Sequence, residues 1–440
     1  MRLTISNQTP DNLLCRFGGD GRDDKILLVP PSSKSIEFSP KSSCLRLFRC
    51  SQDIAAKEAD AVTVDAYPVN VRLNRVYGPR ARWQRISLTD DSTWVVYLNM
   101  ITRNKNCLIV LPRRDTSCFL ASVPDSVPLS SLMLPGTHES MAFYGWPFSQ
   151  CQSLSTPLDV QLSSGIRVID VRLSIIDGRL ISYHGIYPER TPFSDILSTL
   201  YSFLTTPATS SETVVVSIKQ EDSDTHRFSK LVREEIMFSP GGLQMWYLDN
   251  RIPSLGEVRG KAVMFSRFGG NGLGWDQGAI GIHPTLWPDS EKVGFTWTCQ
   301  DTLVQVQDWY AIPSFLSIPE KVSLATEILI PPDSPTPTLS ISFCSASSLP
   351  LAFPATIARG FGWPQWGLGF EGVNFRVGKW ILDRLSSESR EKFDQEDDAG
   401  PRIRGWALLD FYEDPLEQGI VPLFVECNFR GRRAGEEGWH

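Results

Sequence analysis

Histidine is scarce in this chain, with five among 440 residues, and several other features are missing altogether. No stretch approaches the ~20 consecutive apolar residues that cross a bilayer, so a membrane-spanning helix is not expected. Acidic residues number 50 against 43 Lys and Arg, and no basic run interrupts the mixture. This balance argues against nucleic acid as the main partner.

The number and spacing of the cysteines argue against a disulfide framework and against a zinc site. The nine cysteines are an odd number and include no CxxC pair, which fits reduced thiols better than a disulfide framework or a zinc site. The amino terminus, MRLTISNQTP, has neither the basic start nor the apolar centre of a secretory signal. We therefore expect a cytoplasmic protein.

Residues 1–120 are predicted to form an all-β, sandwich-like domain. Short runs of alternating apolar and polar residues, such as LTIS and WVVYL, are separated by clusters of Gly, Pro, Asn, Asp and Ser. Alternation at this spacing is typical of an antiparallel sandwich. No acid and base pair stands out in this region, so we expect it to attach the protein to a lipid or protein partner.

Residues 121–440 show a different pattern, in which strands alternate with helical periodicity. The eight strand candidates are SLMLPG, IRVIDVRL, LISYHG, TVVVSIKQ, KAVMFSR, LVQVQDWY, TLSISFCS and GWALLDFY. Eight is the number that a (β/α)8 barrel needs. One connection, at 172–180, is too short for a helix. The fold class is therefore predicted as α/β, an irregular (β/α)8 TIM barrel preceded by the sandwich-like domain.

Polar residues collect at the ends of these strands. They are His138, Asp170, Arg172, His184, Lys219, Arg267, Asp308 and Asp410. In parallel α/β proteins the carboxyl ends of the strands meet at one edge, where active sites lie. A single such residue is usually structural, but eight together predict a cavity equipped for phosphate binding and proton transfer.

The motifs resemble those of a known family. LPGTHES is followed in order by QLSSGIRVIDVRL, SYHG, TVVVSIKQE, RGKAVMFSRF, VQVQDWY and RGWALLDF. This ordered set resembles the X domain of phosphatidylinositol-specific phospholipase C, and the bacterial type more than the calcium-dependent eukaryotic enzymes. The resemblance covers residues 131–430 approximately and leaves out the first 120.

The resemblance implies a role for each residue of the reaction centre. His138 would be the general base toward the inositol 2-hydroxyl, with Asp410 orienting it. His184 would be the general acid that protonates the diacylglycerol oxygen. Arg172 would stabilise the phosphate oxygens, and Asp170 would support the site from the same strand. Histidines with ordinary pKa values suit such acid and base roles near neutral pH.

The resemblance also implies substrate contacts and the absence of a metal. Lys219, Arg267 and Asp308 would bind the inositol hydroxyls, and Tyr310 would lie against the ring. Calcium-dependent members of the family have a carboxylate where this chain has Arg172, so we expect the guanidinium to take the place of the cation. No metal and no other cofactor is expected.

One position departs from the family pattern and leaves alternatives open. Glu139 stands where the family usually has Asp, whose carboxylate bonds the acid histidine. The favoured function is cleavage of phosphatidylinositol to diacylglycerol and inositol 1,2-cyclic phosphate. The alternative is a catalytically weakened module that binds phosphoinositide head groups. A third reading is hydrolysis of a glycerophosphodiester or a sphingolipid, which requires metal-binding carboxylates, and Arg172 argues against it.

Peripheral contact with a membrane is also expected, because tryptophan rings favour the lipid interface. Five tryptophans lie in segments rich in Gly and Pro: Trp146, Trp275, Trp287, Trp363 and Trp366. The expected partner is phosphatidylinositol or a related phosphodiester lipid.

Overall fold

The chain divides into two compact units in its computed structural model. The first comprises Met1–Arg114, Gly362–Phe370 and Lys379–Glu396, and the second comprises the rest. The first unit thus takes in two late segments that the sequence analysis assigned to the barrel. The described residues are 2–17, 25–39, 44–50, 69–72, 81–89, 92–222, 225–269, 275, 278, 280–347, 350–366, 368–386, 402–415 and 419–432.

Strands dominate the described part of residues 1–114. They are β1 (Arg2–Asn7), β2 (Asn12–Phe17), β3 (Lys25–Val29), β4 (Ser33–Lys34), β5 (Cys44–Cys50), β6 (Val69–Arg72), β7 (Trp83–Ile86), β8 (Trp94–Thr102) and β9 (Lys105–Pro112). One sheet has the order β4-β1-β9-β8-β7 and the other the order β3-β2-β5-β6. Most neighbouring pairs are antiparallel, but β1 pairs with β9 in parallel.

Both sheets of the first unit contribute to one apolar core. Alternate residues of each strand point the same way, so every second side chain is buried in it. Leu3 and Ile5 of β1 meet Leu13 and Cys15 of β2 in this core, which also includes residues of β5, β8 and β9. The alternation that predicted strands in this region therefore also selects the buried face.

The remaining elements alternate strands and helices. The strands are β10 (Met133–Thr137), β11 (Val168–Ile176), β12 (Arg179–His184), β13 (Tyr187–Pro192), β14 (Val214–Gln220), β15 (Trp246–Tyr247), β16 (Ala262–Arg267), β17 (Phe295–Cys299), β18 (Thr302–Gln307), β19 (Thr338–Phe343), β20 (Gly360–Trp363), β21 (Leu368–Glu371) and β22 (Gly405–Leu409). The helices are α1 (Leu158–Ser163), α2 (Phe193–Thr205), α3 (Thr225–Phe238), α4 (Leu255–Val258), α5 (Ile318–Glu327), α6 (Pro354–Arg359), α7 (Val373–Leu385) and α8 (Ile420–Cys427). In the described ranges, no helix has the length and apolar character to span a bilayer.

A mainly parallel sheet forms the centre of the second unit, with the order β15-β16-β14-β11-β10-β22-β19-β18-β17. Strands in the middle of such a sheet are covered on both faces and are therefore almost continuously apolar. The buried VVVSI run of β14 is an example. The register places Arg172 of β11 opposite Lys219 of β14, and Lys219 opposite Arg267 of β16. Three cations thus lie side by side at the carboxyl edge.

The prediction that LISYHG is a barrel strand is wrong. This segment is β12, which pairs antiparallel with β11 and with β13, off the main path of the sheet. Asp177 and Gly178 both have positive φ, 49° and 77°, and form the tight turn between β11 and β12. An Asp-Gly pair between apolar runs is a strong hairpin signal. The two-residue strand β15 was not predicted. It brings the number of strands joined by parallel pairing to eight.

Candidate active site

His138 and Asp410 follow directly on two neighbouring parallel strands, β10 and β22. Nδ1 of His138 lies 2.8 Å from Oδ1 of Asp410, and Nε2 lies 2.8 Å from Nη2 of Arg172. A guanidinium only donates and a carboxylate accepts, so Nδ1 carries the hydrogen and Nε2 carries a lone pair. His138 is therefore a neutral imidazole, ready to accept a proton at Nε2.

Asp170 and Arg172 lie two residues apart on β11 and so share one face of the strand. The fully buried carboxylate of Asp170 accepts a hydrogen bond from Nε of Arg172 at 3.1 Å and lies 3.5 Å from Nη1 of Arg267. Burial acts to raise the pKa of Asp170, but the charges of Arg172 and Arg267 outweigh it and hold that pKa well below its usual range. The ionised Asp170 therefore anchors both guanidinium groups.

Glu139 connects Arg172 to the second histidine, His184. It is 2% exposed, and its backbone has a φ of 43°, a left-handed conformation of the kind that collects at functional sites. One carboxylate oxygen lies 2.5 Å from Nη1 of Arg172 and the other 2.9 Å from Nδ1 of His184. The longer side chain of glutamate thus reaches the imidazole.

The pKa values of Glu139 and His184 shift in opposite directions. Burial acts to raise the pKa of Glu139, but the charges of Arg172 and His184 outweigh it and lower that pKa. Burial acts to lower the pKa of His184, but the charge of Glu139 outweighs it and raises that pKa. The charge of Glu139 thus favours the protonated form of His184. Two groups poised in opposite protonation states are suited to act as acid and base.

His184 stands at the end of β12, on the hairpin that leaves the main sheet. Its Nδ1 also donates a hydrogen bond to the backbone carbonyl of Ser149 at 2.8 Å. Because Nδ1 is held by these partners, Nε2 is the nitrogen left for a substrate. Both histidines line one cavity of about 1020 Å³.

Lys219, Arg267 and Glu221 form one wall of this cavity. Nζ of Lys219 lies 2.8 Å from Oε1 of Glu221. Burial lowers the pKa of Lys219, and the charge of Arg172 adds to the effect while Glu221 opposes it. The guanidinium of Arg267 lies 3.9 Å from the centre of the Trp287 ring. Cations with polar partners on this wall suit a ligand that offers hydroxyl groups and negative charge.

Asp308 and Tyr310, which follow strand β18, also line the cavity. Oδ2 of Asp308 accepts a hydrogen bond from Nε1 of Trp287 at 2.9 Å. The Tyr310 hydroxyl donates to Asp289, and its ring is 37% exposed. Burial raises the pKa of Tyr310 to about 12, so the phenol stays neutral. An exposed neutral ring beside a carboxylate suits contact with a polyhydroxylated ring.

The structure brings together the site residues that the sequence predicted. All of them line the cavity except Asp170, which lies buried beneath Arg172. Sequence reasoning missed Glu221, although its position two residues after Lys219 puts both on one strand face. It also missed Trp287 as a partner of Asp308, and Ser149, which acts through its backbone carbonyl and so leaves no side-chain signal.

Among the residues that the structure describes, two sets of three side chains have ligand atoms close enough to share a metal ion. They are His138, Cys151 and Asp410, and Glu139, Cys151 and His184. Burial raises the pKa of the shared Cys151 thiol well above its usual value, which disfavours the thiolate that binds metal. Arg172 contacts both sets, through His138 and through Glu139, so a metal ion would meet a fixed positive charge. The donor sets therefore fit proton transfer better than metal binding.

Fold and site together define an α/β barrel-like protein whose cavity is lined by two histidines and by several cationic side chains. No family model matches the chain. Over 164 residues it is 31% identical to a 1-phosphatidylinositol phosphodiesterase of Listeria monocytogenes, covering 34% of this chain and 49% of that protein. Over 209 residues it is 28% identical to a 1-phosphatidylinositol phosphodiesterase of Staphylococcus aureus, covering 44% and 64%. The matched part thus spans about half to two thirds of these curated relatives.

Solved structures agree on the fold. A phosphatidylinositol-specific phospholipase C from S. aureus aligns with a TM-score of 0.55 at 22% identity, covering 71% of this chain and 98% of that one. The L. monocytogenes enzyme aligns with a TM-score of 0.52 at 21% identity, covering 73% and 100%. One S. aureus structure concerns modulation of membrane binding by that enzyme. The predicted resemblance to the bacterial phosphatidylinositol-specific phospholipases C is confirmed, and the chain has their α/β, TIM-barrel-like fold.

Proposed function

We propose that this chain cleaves phosphatidylinositol to diacylglycerol and inositol 1,2-cyclic phosphate. The observation that carries the proposal is the placement of His138 and His184 in one cavity, with Arg172 in contact with His138 and Glu139 facing His184. The relatives named as 1-phosphatidylinositol phosphodiesterases support the choice of substrate.

The first step is proton abstraction by His138. Its Nε2 takes the proton of the inositol 2-hydroxyl, and the oxygen attacks the phosphorus to form the cyclic ester. Asp410, bonded to Nδ1, stabilises the imidazolium that results. Arg172 then faces the negative charge that builds on the non-bridging phosphate oxygens, where its planar fork can make two hydrogen bonds.

The second step is proton donation by His184. The bond from phosphorus to the diacylglycerol oxygen breaks, and Nε2 of His184 supplies the proton that this oxygen needs as an alcohol. Glu139 keeps the imidazole charged before transfer, because its carboxylate lies 2.9 Å from Nδ1. No metal takes part in either step of this proposal, since Arg172 supplies the positive charge at the phosphate.

An assay with phosphatidylinositol vesicles and a strong chelator tests the proposal. We expect release of diacylglycerol and cyclic inositol phosphate at the same rate with and without chelator. Binding of vesicles with neither product released would favour the head-group binding module instead. The 2.9 Å contact between Glu139 and His184 supports the enzyme over that alternative.

We further propose that the cavity mouth touches the lipid surface. Ile186, Phe148 and Leu286 line the cavity and are 85%, 47% and 43% exposed. Apolar side chains at such a rim lose their contact with water when they enter lipid. Of the loop tryptophans, Trp275 is buried and Trp287 bonds Asp308, so neither is available for lipid.

The first unit is proposed to be a sandwich-like attachment module. Its two sheets share one apolar core, and no described acid and base pair suggests chemistry there. The hairpin β20–β21 carries the exposed rings of Trp363 and Trp366, and the residues from Gly362 to Phe370 belong to this unit. Exposed tryptophans of this kind suit an interfacial role.

A further inference from the structure

Glu189 is a buried carboxylate next to the site that the proposed reaction does not use. It lies on β13, which pairs with β12 so that Tyr187 stands opposite His184. Its side chain is 1% exposed, and in the described ranges no lysine or arginine forms an ion pair with it. Burial raises the pKa of Glu189 to about 7. Burying a carboxylate without a cation is costly, so its remaining contacts are informative.

Those contacts hold the loop at residues 144–149. One oxygen of Glu189 accepts a hydrogen bond from the backbone N–H of Tyr144 at 2.7 Å, and the other accepts from Oγ of Ser149 at 3.3 Å. The guanidinium of the next residue, Arg190, lies 4.6 Å from the centre of the Tyr144 ring. Strand β13 therefore holds both ends of the loop.

The loop itself is tightly folded. The backbone N–H groups of Phe148 and Ser149 both donate to the carbonyl of Gly145, at 2.8 and 3.1 Å. Gly145 has a φ of +75°, and a Cβ added there would lie 1.8 Å from Oγ of Ser149. A side chain at Gly145 would thus displace the Ser149 hydroxyl from its present position and strain the backbone of the loop.

The last residue of this loop bonds the proposed general acid, since the Ser149 carbonyl accepts the hydrogen of Nδ1 of His184. We propose that Glu189 is a positioning residue for proton donation: it holds the loop so that the Ser149 carbonyl keeps Nε2 of His184 directed at the leaving oxygen. This inference rests on the proposed function. Glu139 orients the same ring from β10, so the imidazole is fixed from two separate segments.

Two substitutions separate the hydrogen bonds of Glu189 from its charge. Glu189→Ala removes both, whereas Glu189→Gln can still accept from the Tyr144 N–H and donate to the Ser149 hydroxyl. The test measures kcat on two inositol phosphodiesters, one with an alkyl alcohol and one with nitrophenol as leaving group. Nitrophenolate leaves without a proton, so only the alkyl ester depends on the general acid.

We expect Glu189→Ala to lower kcat on the alkyl ester about tenfold or more while the nitrophenyl ester is nearly unaffected. Glu189→Gln should restore the wild-type ratio. Gly145→Ala, which leaves Glu189 in place but displaces Ser149, should reproduce the effect of Glu189→Ala. Equal losses on both esters, or failure of the glutamine to restore the ratio, would overturn the positioning role.

NMR titration of the His184 imidazole tests the inference without any substrate. The bond from Nδ1 to the Ser149 carbonyl favours the charged ring, so its loss should lower the pKa of His184. The charge of Glu189, which also acts on His184, is lost in both variants, so a difference between them reports the hydrogen bonds; Glu139 and Arg172 are unchanged in both. A lower pKa in Glu189→Ala than in Glu189→Gln supports the inference, and an equal pKa in the two refutes it. Failure of the wild type to cleave either ester would count against the proposed function alone.

Discussion

At the scale of single residues, the site depends on two histidines held in different protonation states by different partners. Asp410 and Arg172 fix the tautomer of His138 through its two ring nitrogens. His184 is charged because Glu139 faces it in a buried setting. The carboxylate partners thus set which ring takes a proton and which ring gives one.

The contributions of the two histidines to turnover should therefore be distinguishable by substitution and by the pH dependence of the rate. His138→Ala and His184→Ala should each lower turnover of phosphatidylinositol by about 10² to 10⁴-fold. In the wild type the rate should fall at high pH, as His184 loses its proton above its raised pKa. His184→Ala should lack the fall at high pH. Near wild-type turnover in either folded variant, judged by circular dichroism, would refute the assignment.

Arg172 should be needed for the several hydrogen bonds of its planar guanidinium and not only for its positive charge. Arg172→Ala should cost about 3 kcal/mol of transition-state stabilisation, the range seen when an oxyanion donor is removed. Arg172→Lys keeps the charge but cannot bond Asp170, Glu139 and phosphate together, so we expect it to recover only part of the rate. Steady-state kinetics with chelator present measures both. Complete inhibition by chelator, reversed by calcium, would contradict the role of Arg172.

Shortening Glu139 should impair the acid. Glu139→Asp withdraws the carboxylate from both His184 and Arg172, and an error near an ångström costs up to about a hundredfold in rate. The measurement is kcat on phosphatidylinositol, together with the pKa of His184, which should fall as its partner retreats. A hundredfold gain in rate would show instead that the native glutamate impairs the site.

At the scale of elements, a buried ion pair holds the amino ends of two central strands. Arg167 precedes β11, and its Nε donates to Oε2 of Glu212, just before β14, at 2.8 Å, with both side chains fully buried. The guanidinium also bonds the carbonyls of Leu162 and Ser117. Because this pair lies at the end of the strands away from the site, its role is stability.

Glu212→Gln should therefore destabilise the fold without touching the chemistry. Removing one partner of a buried ion pair costs about 3–5 kcal/mol, because the other charge stays buried alone. Urea unfolding of the second unit measures the free energy of unfolding. Glu234→Gln, on the exposed face of α3, is the matched control and should change it by less than about 0.5 kcal/mol. Equal stability of the two variants would exclude the structural role.

At the scale of the whole molecule, catalysis and attachment are expected to depend on different residues. The combined Trp363→Ala and Trp366→Ala changes should weaken sedimentation with phosphatidylinositol vesicles, while turnover of a water-soluble inositol phosphodiester stays the same. The reason is that both rings are more than 60% exposed and lie outside the cavity lining. Phe238→Ala, which removes an 80% exposed ring from α3, is the control. Unchanged vesicle binding in the tryptophan variant would remove the proposed role of the hairpin.

The amino-acid pattern is sufficient to predict most of the parallel sheet and the side chains that line the cavity. Strand β14 begins with a nearly continuous apolar run because both faces are covered, and polar residues at the carboxyl ends of such parallel strands must lie at one edge. That local logic was enough to bring His138, Arg172 and Asp410 together before any coordinates. The Asp-Gly pair after β11 is itself a hairpin signal, although the strand pattern predicts the following segment to be a barrel strand.

The contacts between segments that are distant in the sequence depend on the three-dimensional packing of the chain. Glu139 follows β10 and contacts His184, and the Ser149 carbonyl bonds the same ring from a loop. Glu189 lies on the hairpin strand β13 and holds that loop. Their geometry depends on backbone angles to within an ångström, which no pattern of residue types encodes. The same holds for the late segments that cluster with the first unit. Hydrophobic periodicity specifies which face of an element is buried, but not which distant segment covers it.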